Sequence, residues 1–337
     1  MSGARADALG IAAFVLVVAC AAFALGSNVA LTFVMMALYA TLMAQAWNLL
    51  GGFGGQFSFG HALFFGTGAY VQAIAQVSGG INAWAALPLA VGAAGVVGLL
   101  IGALAFRYGL KGSYFALVTL AFAEVFRILA LSLGFTGGGV GMMLPLRASA
   151  TNLQFASPRG YVLMLLGFVT LALAVTAWLR HSRFGASLQA VRDNEDAARA
   201  LGIAPFRVKL IATVLSGAFM GAAGAFYVQA FQYIDPAIAF GATTSVEALL
   251  GAIVGGMGTL WGPVLGALAL HALAELTRNL FGALPGINMV IYGSVLVLIV
   301  MFMPRGIAGL GVALRWTRRD CLGGAREHDR ERTKGQP

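Results

Sequence analysis

The chain has 337 residues, of which 60% are hydrophobic and 10% are charged, and its formal net charge is +9. With a mean hydropathy of +0.87, it carries more apolar surface than a soluble core could bury, so the composition excludes an ordinary water-soluble domain. The positive charge does not require nucleic acid as a partner, because basic loops beside membrane helices and anionic lipid headgroups account for it.

Ten apolar runs of helical composition follow one another along the chain. Lipid offers the backbone no hydrogen-bond partners, and the runs lack the alternation of a β-barrel, so we predict an all-α, polytopic membrane bundle of about ten transmembrane helices. The run at 244–257 is short for a full span and predicts a partial or re-entrant helix. The runs cover about residues 8–26, 28–50, 61–78, 82–106, 113–133, 161–179, 208–231, 244–257, 262–279 and 287–303.

The first run has a second interpretation as a signal peptide. Arg5 precedes it, and Ala22-Phe23-Ala24 resembles a cleavage site. We favour a first transmembrane helix, because a long series of further apolar runs follows it and the first run of such a series can insert unaided.

The distribution of lysine and arginine predicts the orientation. If successive runs alternate in direction, all but four of the twenty-one basic residues fall on one face; Arg147 and Arg159 lie on the other face, and Arg127 and Arg278 lie within runs. The positive-inside rule makes the basic face cytoplasmic. We therefore expect a multi-pass protein of the plasma (inner) membrane with both termini in the cytoplasm, a transmembrane domain over 1–310 and a disordered tail over 311–337.

One loop, residues 182–209, is far more polar than the rest of the chain, with five basic and three acidic side chains. Ser182 can cap a helix there, and Gly202 followed by Pro205 predicts the end of that helix. Mixed charge of this kind favours a protein partner over an anionic membrane surface. The apolar face of the helix would consist of Leu188, Val191, Ala198 and Leu201. Its i, i+4 ion pairs would join Arg192 with Asp196 and Glu195 with Arg199.

Two glycine-rich turns share the pattern Gly-Gly-x-Gly, at 51–54 and at 255–258. Irregular backbone at membrane depth is tolerated only against protein or water, so residues at these turns are candidates for lining a translocation path. His61 has a second interpretation as a satisfied histidine at a helix start. The candidates of this group are Gln56, Ser58, His61, Gly255 and Gly256.

Charged side chains within the runs are further candidates, since each costs about 2.5–3.5 kcal/mol at a helix centre unless it has a partner. Glu124 and Arg127 stand i, i+3 and are predicted to form an ion pair that faces the bundle interior, with a direct role in the path as the alternative. Glu247 lies on the short run that ends in a glycine turn, where transporters often place their path. Glu275 and Arg278 repeat the i, i+3 spacing and are interpreted as structural.

The sequence contains no constellation typical of an enzyme. Cys20 and Cys321 fall in different environments, and the four histidines are scattered. None of the three lysines belongs to a Gly-Lys-Ser or Gly-Lys-Thr sequence, so the chain has no phosphate-binding loop of its own. We predict no catalytic residue, no metal and no cofactor, and an external source of energy.

Several segments together carry a resemblance to a known family. The chain resembles the M-type permease subunit of branched-chain amino-acid ABC importers, and the sequence EDAARALG at 195–202 is similar to the cytoplasmic loop of ABC permeases in which a Glu-Ala-Ala group precedes a glycine. Here Asp196 separates Glu195 from the two alanines. The other matching segments are NLLGGFGGQFSFGHALFFGTGAY (48–70), LKGSYFALVTLAFAEVFRILAL (110–131), FTGGGVGM (135–142), GGMGTLWGPVLGA (255–267) and MPRGIAGL (303–310).

The resemblance implies the partners and the role of the polar loop. It implies a second, non-identical permease subunit, two cytoplasmic ATP-binding subunits, a periplasmic or extracellular solute-binding protein and the surrounding membrane lipid. The loop at 180–209 would be a coupling segment that docks on an ATPase subunit. Its expected coupling residues are Arg192, Asp193, Glu195, Asp196, Ala197, Ala198, Arg199 and Gly202.

The sequence therefore favours a permease that moves branched-chain or related amino acids inward by alternating access. Urea or another small carboxylate or amide solute is an alternative within the same family. An ion-coupled secondary transporter is an alternative of another class, for which Glu247 is the lone candidate for an acidic relay.

Overall fold

A computed structural model describes residues 2–146 and 149–281, together with residues 290, 291, 293, 294, 297, 301 and 306–308. The described chain is a bundle of α-helices with a single two-stranded antiparallel ribbon, β1 to β2. The helices are α1 (Ser2–Ala24), α2 (Asn28–Trp47), α3 (His61–Val77), α4 (Ala83–Arg107), α5 (Ser113–Ser132), α6 (Pro158–His181), α7 (Arg183–Asp193), α8 (Glu195–Ala200), α9 (Pro205–Phe231), α10 (Pro236–Phe240), α11 (Ala242–Gly255) and α12 (Gly262–Phe281); the strands are β1 (Met142–Met143) and β2 (Tyr233–Ile234).

Nine of the predicted apolar runs coincide with helices, and the all-α membrane fold is confirmed. The count of about ten transmembrane helices is not confirmed: within the described residues, six helices are long and apolar enough to cross a membrane. Helix α11 has only 14 residues, as expected for a partial span. The tenth predicted run, 287–303, and the tail, 311–337, lie largely outside the described residues.

Small residues bring the helices into close contact. Helices α4 and α9 meet at Gly95 and Gly98 of the first and Gly217 and Gly221 of the second, where a Cβ atom added to Gly217 would lie 3.0 Å from the carbonyl oxygen of Ala94. Between α11 and α12, a Cβ atom added to Gly255 would overlap the carbonyl oxygen of Gly262. Such close backbone approach is how membrane helices gain packing energy, since lipid provides little hydrophobic drive for their association.

One end of the bundle collects the turns that alternation places on the basic face. Helix α2 continues there into a π-helical turn, Asn48–Phe53, which lies against the polar loop. Four contacts show that these segments share one end. A carboxylate oxygen of Asp7 lies 2.9 Å from Nη1 of Arg180, and one of Glu195 lies 3.2 Å from Nζ of Lys111. Nη1 of Arg192 donates to the carbonyl oxygen of Gly52 at 2.7 Å, and the amide of Gly258 donates to Oδ1 of Asn48 at 2.8 Å.

The intervening turns meet at the opposite end. Arg159 donates a hydrogen bond to the carbonyl oxygen of Leu25, and the indole of Trp84 donates to Ala150 at 2.9 Å. In the β1–β2 ribbon, Met142 pairs with Ile234, which joins the loop between α5 and α6 to the turn after α9. The helices therefore alternate in direction as the charge distribution predicts.

Candidate functional site

The polar loop folds as two short helices, α7 and α8, and the prediction of a single helix was wrong. Ser182 caps α7, as expected, by accepting a hydrogen bond from the amide of Gly185 at 3.0 Å. The break falls at Asn194, whose side-chain oxygen accepts from the amides of Asp196 and Ala197, each at 3.0 Å. An N-cap of this kind starts a new helix because it satisfies amides that have no partner in the preceding turn.

The apolar face of the loop packs on the end of the bundle. Leu188, Val191 and Ala198 are buried in a cluster with Phe53 and Phe106, as their helical spacing predicts. This cluster fixes both helices of the loop to α4 and to the π-helical turn. The loop is therefore a docked part of the bundle.

Leu201 does not join that face, contrary to the prediction. It is 81% exposed, directly before Gly202, whose φ of +82° ends α8 in a left-handed conformation. Most of the expected coupling residues are exposed beside it, whereas Ala198 is buried and Glu195 is largely covered. The exposed members are Arg192, Asp193, Asp196, Ala197, Arg199 and Gly202.

Glu195 points into the protein and contacts three cations. One carboxylate oxygen lies 3.0 Å from Nζ of Lys209 and 3.2 Å from Nζ of Lys111; the other accepts from Arg199 at 3.4 Å, the predicted i, i+4 pair. The Lys209 side chain is only 2% exposed, and its ammonium lies 4.8 Å from the centroid of the Phe106 ring. Glu195 thus ties α8 to the start of α9 and to the turn before α5.

The pKa of Glu195 falls below its ordinary value of 4.5. Burial acts in the opposite direction, but the hydrogen bonds and charges of Lys209 and Lys111 outweigh it. A carboxylate with a lowered pKa in the folded protein contributes stability above pH 4.5, and that contribution is lost as the pH falls through the lowered pKa.

We expect Glu195→Gln to loosen α8 by about 1–3 kcal/mol at neutral pH, because the buried Lys209 loses its counter-charge. Hydrogen exchange of the α8 amides would measure the loss. The difference from wild type should disappear as the pH falls well below 4.5, where Glu195 itself becomes neutral. Asp193→Asn, on the same loop but exposed, is the matched control and should leave exchange unchanged; equal effects of the two substitutions would contradict the assigned role of Glu195.

Arg192 does not pair with Asp196 as predicted. Its Nη1 donates to the carbonyl oxygen of Gly52 at 2.7 Å, in the first glycine-rich turn. A Cβ atom added to Gly55 would lie 2.6 Å from Cγ of Arg192, and one added to Gly258 would lie 3.0 Å from Nη1. The absence of side chains on these glycines lets the arginine lie against both turns.

The two glycine-rich turns, which the sequence relates only by a shared pattern, are in direct contact. Asn48 joins them: its side-chain oxygen accepts from the amide of Gly258 at 2.8 Å, and its nitrogen donates to the carbonyl of Thr259 at 3.0 Å. Gln45 adds a bond of 2.8 Å to the carbonyl of Leu260. Gly255 and Gly256 are buried at the junction of α11 with this second turn, where they serve close packing.

Gln56, Ser58 and His61 are buried, with exposed fractions of 8%, 0% and 0%. His61 begins α3, and its Nε2 lies 2.9 Å from the hydroxyl of Ser216, which itself donates to a backbone carbonyl of α2. Ser58 bonds to the hydroxyl of Thr119 at 3.2 Å. His61 therefore begins a helix within a packed core, as the second interpretation predicts, but it is only half satisfied, because Nδ1 is buried without a hydrogen-bond partner among the described residues.

Glu124 and Arg127 form the predicted ion pair, with Nε of Arg127 donating to the carboxylate at 2.9 Å. Their predicted direction was wrong. The side chains are 52% and 32% exposed, so the pair lies on the outside of the isolated chain and not in its interior. A helix face that carries charge in a membrane span faces protein or water.

Glu247 lies beside a cavity between α2, α11 and α12. The cavity has a volume of about 250 Å³, and Tyr39, His271, Glu275 and Arg278 also line it. His271, Glu275 and Arg278 stand i, i+4, i+7 on one face of α12. This spacing is visible in the sequence and would have been enough to group the three residues. Glu275 and Arg278 form an ion pair, as interpreted, and this pair lies on the cavity wall.

Comparison with known proteins identifies the family. Residues 29–302 match the family described as "Branched-chain amino acid transport system / permease component". The high-affinity branched-chain amino acid transport system permease protein LivM of Salmonella typhimurium is 29% identical over 297 residues, covering 81% of this chain and 68% of the relative. LivM of Escherichia coli is 30% identical over 285 residues, covering 77% and 65%.

A second kind of relative is also similar. LivH of Salmonella typhimurium is 26% identical over 294 residues, covering 80% of this chain and 90% of the relative. No solved structure matches. The family match and the six long apolar helices make the chain a multi-pass membrane protein. It belongs to the permease component family of branched-chain amino acid transport systems.

Proposed function

We propose that the chain is a permease subunit of an ABC importer that moves branched-chain or related amino acids into the cytoplasm. As a member of a permease family it is a transporter and not an enzyme. The similarity to both LivM and LivH supports assembly with a second, non-identical permease. Two ATP-binding subunits would supply the energy, and an external solute-binding protein would deliver the solute.

The observation that carries the proposal is the coupling segment, residues 180–209. Its apolar face and Glu195 fix it to the bundle, while Leu201 and a set of charged side chains remain exposed. A partner that grips this surface and moves would transmit its motion to the helices on either side, α6 and α9. Rigid-body transmission of this kind is a common basis of alternating access.

The orientation follows from the same end of the bundle. The contacts that join the start of α1, the turn after α2, the turn after α4 and the coupling segment support the assignment of all these basic segments to one side. By the positive-inside rule that side would be the cytoplasm, in a plasma or inner membrane, with both termini there. Residues 1–310 would form the membrane domain and 311–337 a cytoplasmic tail.

Among the proposed path residues, Glu247 has the strongest support, because it lies beside a cavity. Gln56, Ser58, His61, Gly255 and Gly256 do not line that cavity and would act by shaping the packed core of the bundle. The exposed ion pair of Glu124 and Arg127 would face a partner subunit or water.

We expect Leu201→Asp to reduce ATP-driven leucine uptake by about tenfold or more, because it places a charge where an apolar contact with the ATPase would form. Uptake of labelled leucine into proteoliposomes containing the complex, with and without enclosed ATP, measures the effect. Tyr108→Asp is the control, since Tyr108 is 74% exposed at the same end but lies outside the coupling segment. Uptake that proceeds at full rate on an ion gradient without ATP would refute the proposed function.

A further inference from the structure

A groove runs along α2 and α12 from the end opposite the coupling segment. A cavity of about 370 Å³ begins at Asn28 and Thr32, in the first turns of α2. It adjoins the cavity of about 250 Å³ that reaches Glu247, and the two have Met36, His271, Glu275 and Arg278 in common. The groove therefore leads from the bundle end to a carboxylate within the span.

Glu247 is exposed in the isolated chain, and among the described residues its carboxylate has no hydrogen bond and no ion pair. An ionised carboxylate within a span costs about 2.5–3.5 kcal/mol at a helix centre, so it is not expected to face lipid without a partner. A cationic group that entered the groove would remove this cost. The groove is thus suited to a ligand that carries a positive charge.

Arg278 offers the complementary charge on the same cavity wall. It uses Nη2 to bind Glu275, which leaves Nε and Nη1 without a partner among the described residues. A guanidinium can donate through all its N–H groups and favours the planar carboxylate. The wall of the same cavity also includes the apolar side chains of Met43, Leu250 and Leu270.

We propose that this groove binds a zwitterionic α-amino acid with an aliphatic side chain. Its ammonium would pair with Glu247, its carboxylate would bind Arg278, and its side chain would contact Met43, Leu250 and Leu270. The inference rests on the proposed function and adds the place in the permease at which the solute is recognised. It also assigns Arg278 a role beyond its structural pair with Glu275.

The test measures whether leucine protects a thiol placed in the groove. Ala274→Cys, on the cavity wall, is introduced into a Cys20→Ser, Cys321→Ser background, and the assembled importer without its solute-binding protein is labelled with a maleimide. Leucine should slow labelling, whereas 3-methylbutylamine, which lacks the carboxylate, and 4-methylpentanoate, which lacks the ammonium, should not. Val140→Cys, 82% exposed outside the groove, should be labelled at the same rate throughout.

Adding Glu247→Gln or Arg278→Gln should raise the leucine concentration needed for protection by about tenfold or more, since each removes one charged contact. The labelling rate without leucine reports whether each variant retains its fold. If the importer takes up leucine with ATP but leucine does not slow labelling, the groove is not the recognition site, although the proposed function stands. A thiol that never reacts in the assembled importer would show that a partner subunit fills the groove and would also overturn the inference.

Discussion

Gly255→Ala is expected to destabilise the permease by about 3 kcal/mol or more, at or above the upper end of the usual cost of overpacking. The added methyl would overlap the carbonyl group of Gly262 and press on the amide of Gly266. Since both obstacles are backbone, no side-chain rotation relieves them, and α11 and α12 must separate. Thermal unfolding of the purified complex, monitored as the yield of monodisperse protein after heating, measures the loss of stability.

Gly167→Ala is the matched control for this prediction. Gly167 lies within α6, and a Cβ atom added there meets no atom within 4 Å. Alanine should be neutral or stabilise that helix, because it is a better helix former than glycine by about 0.8–1.0 kcal/mol. If Gly255→Ala unfolds at the same temperature as Gly167→Ala, the close contact of α11 with α12 does not contribute to stability.

The bundle could be predicted from sequence because its cause is local. Each apolar run is long enough to require internal hydrogen bonding in lipid, and this requirement fixes helices almost regardless of what they pack against. The two-helix coupling segment had a local signal as well. Asn194 followed by Glu195 and Asp196 is a typical helix start, with an N-cap and acidic residues in the first turn, and that signal identifies the break.

The candidate site could be predicted only in part, because its contacts join distant parts of the chain. The sequence gives no reason for Glu195 to choose Lys111 and Lys209 over solvent, and the inward choice depends on how α4, α5 and α9 pack. Similarly, the i, i+4, i+7 spacing places three polar residues on one face of α12, but only the packing of α11 brings Glu247 to the same cavity. The outward direction of Glu124 likewise depends on how α5 packs against the other helices, which the local sequence does not determine.

A continuous set of contacts connects the coupling segment to that cavity. Arg192 binds Gly52 in the first glycine-rich turn, and Asn48 binds Gly258 in the second. The second turn is the direct continuation of α11, which carries Glu247 eight residues before its end at Gly255. Because the contacts at the turns involve backbone groups, a displacement of the coupling segment would be passed to α11 as a whole. Arg192 is the first member of this set.

We therefore expect Arg192→Ala to separate ATP hydrolysis from transport in the complex. Loss of one charged hydrogen bond, worth about 1.5–3 kcal/mol, should lower leucine uptake per ATP hydrolysed by about tenfold or more, while hydrolysis itself continues. Simultaneous measurement of uptake and phosphate release in proteoliposomes gives this ratio. Arg192→Lys keeps the positive charge and a donor for the Gly52 carbonyl, so it should restore part of the coupling. A purely electrostatic role at the ATPase surface would instead predict the same coupling in Arg192→Lys as in the wild type.

Arg183→Ala is the appropriate control, because Arg183 begins the same helix, α7, and is exposed, and its guanidinium has no partner among the described residues. It removes the same charge from the coupling segment but leaves the contact with the glycine-rich turn intact. If both alanine variants lowered the uptake ratio equally, general charge on the segment would be responsible. A normal ratio in Arg192→Ala would mean that motion reaches α11 by another route, and the buried cluster of Leu188 and Val191 against Phe53 is one such connection at this end.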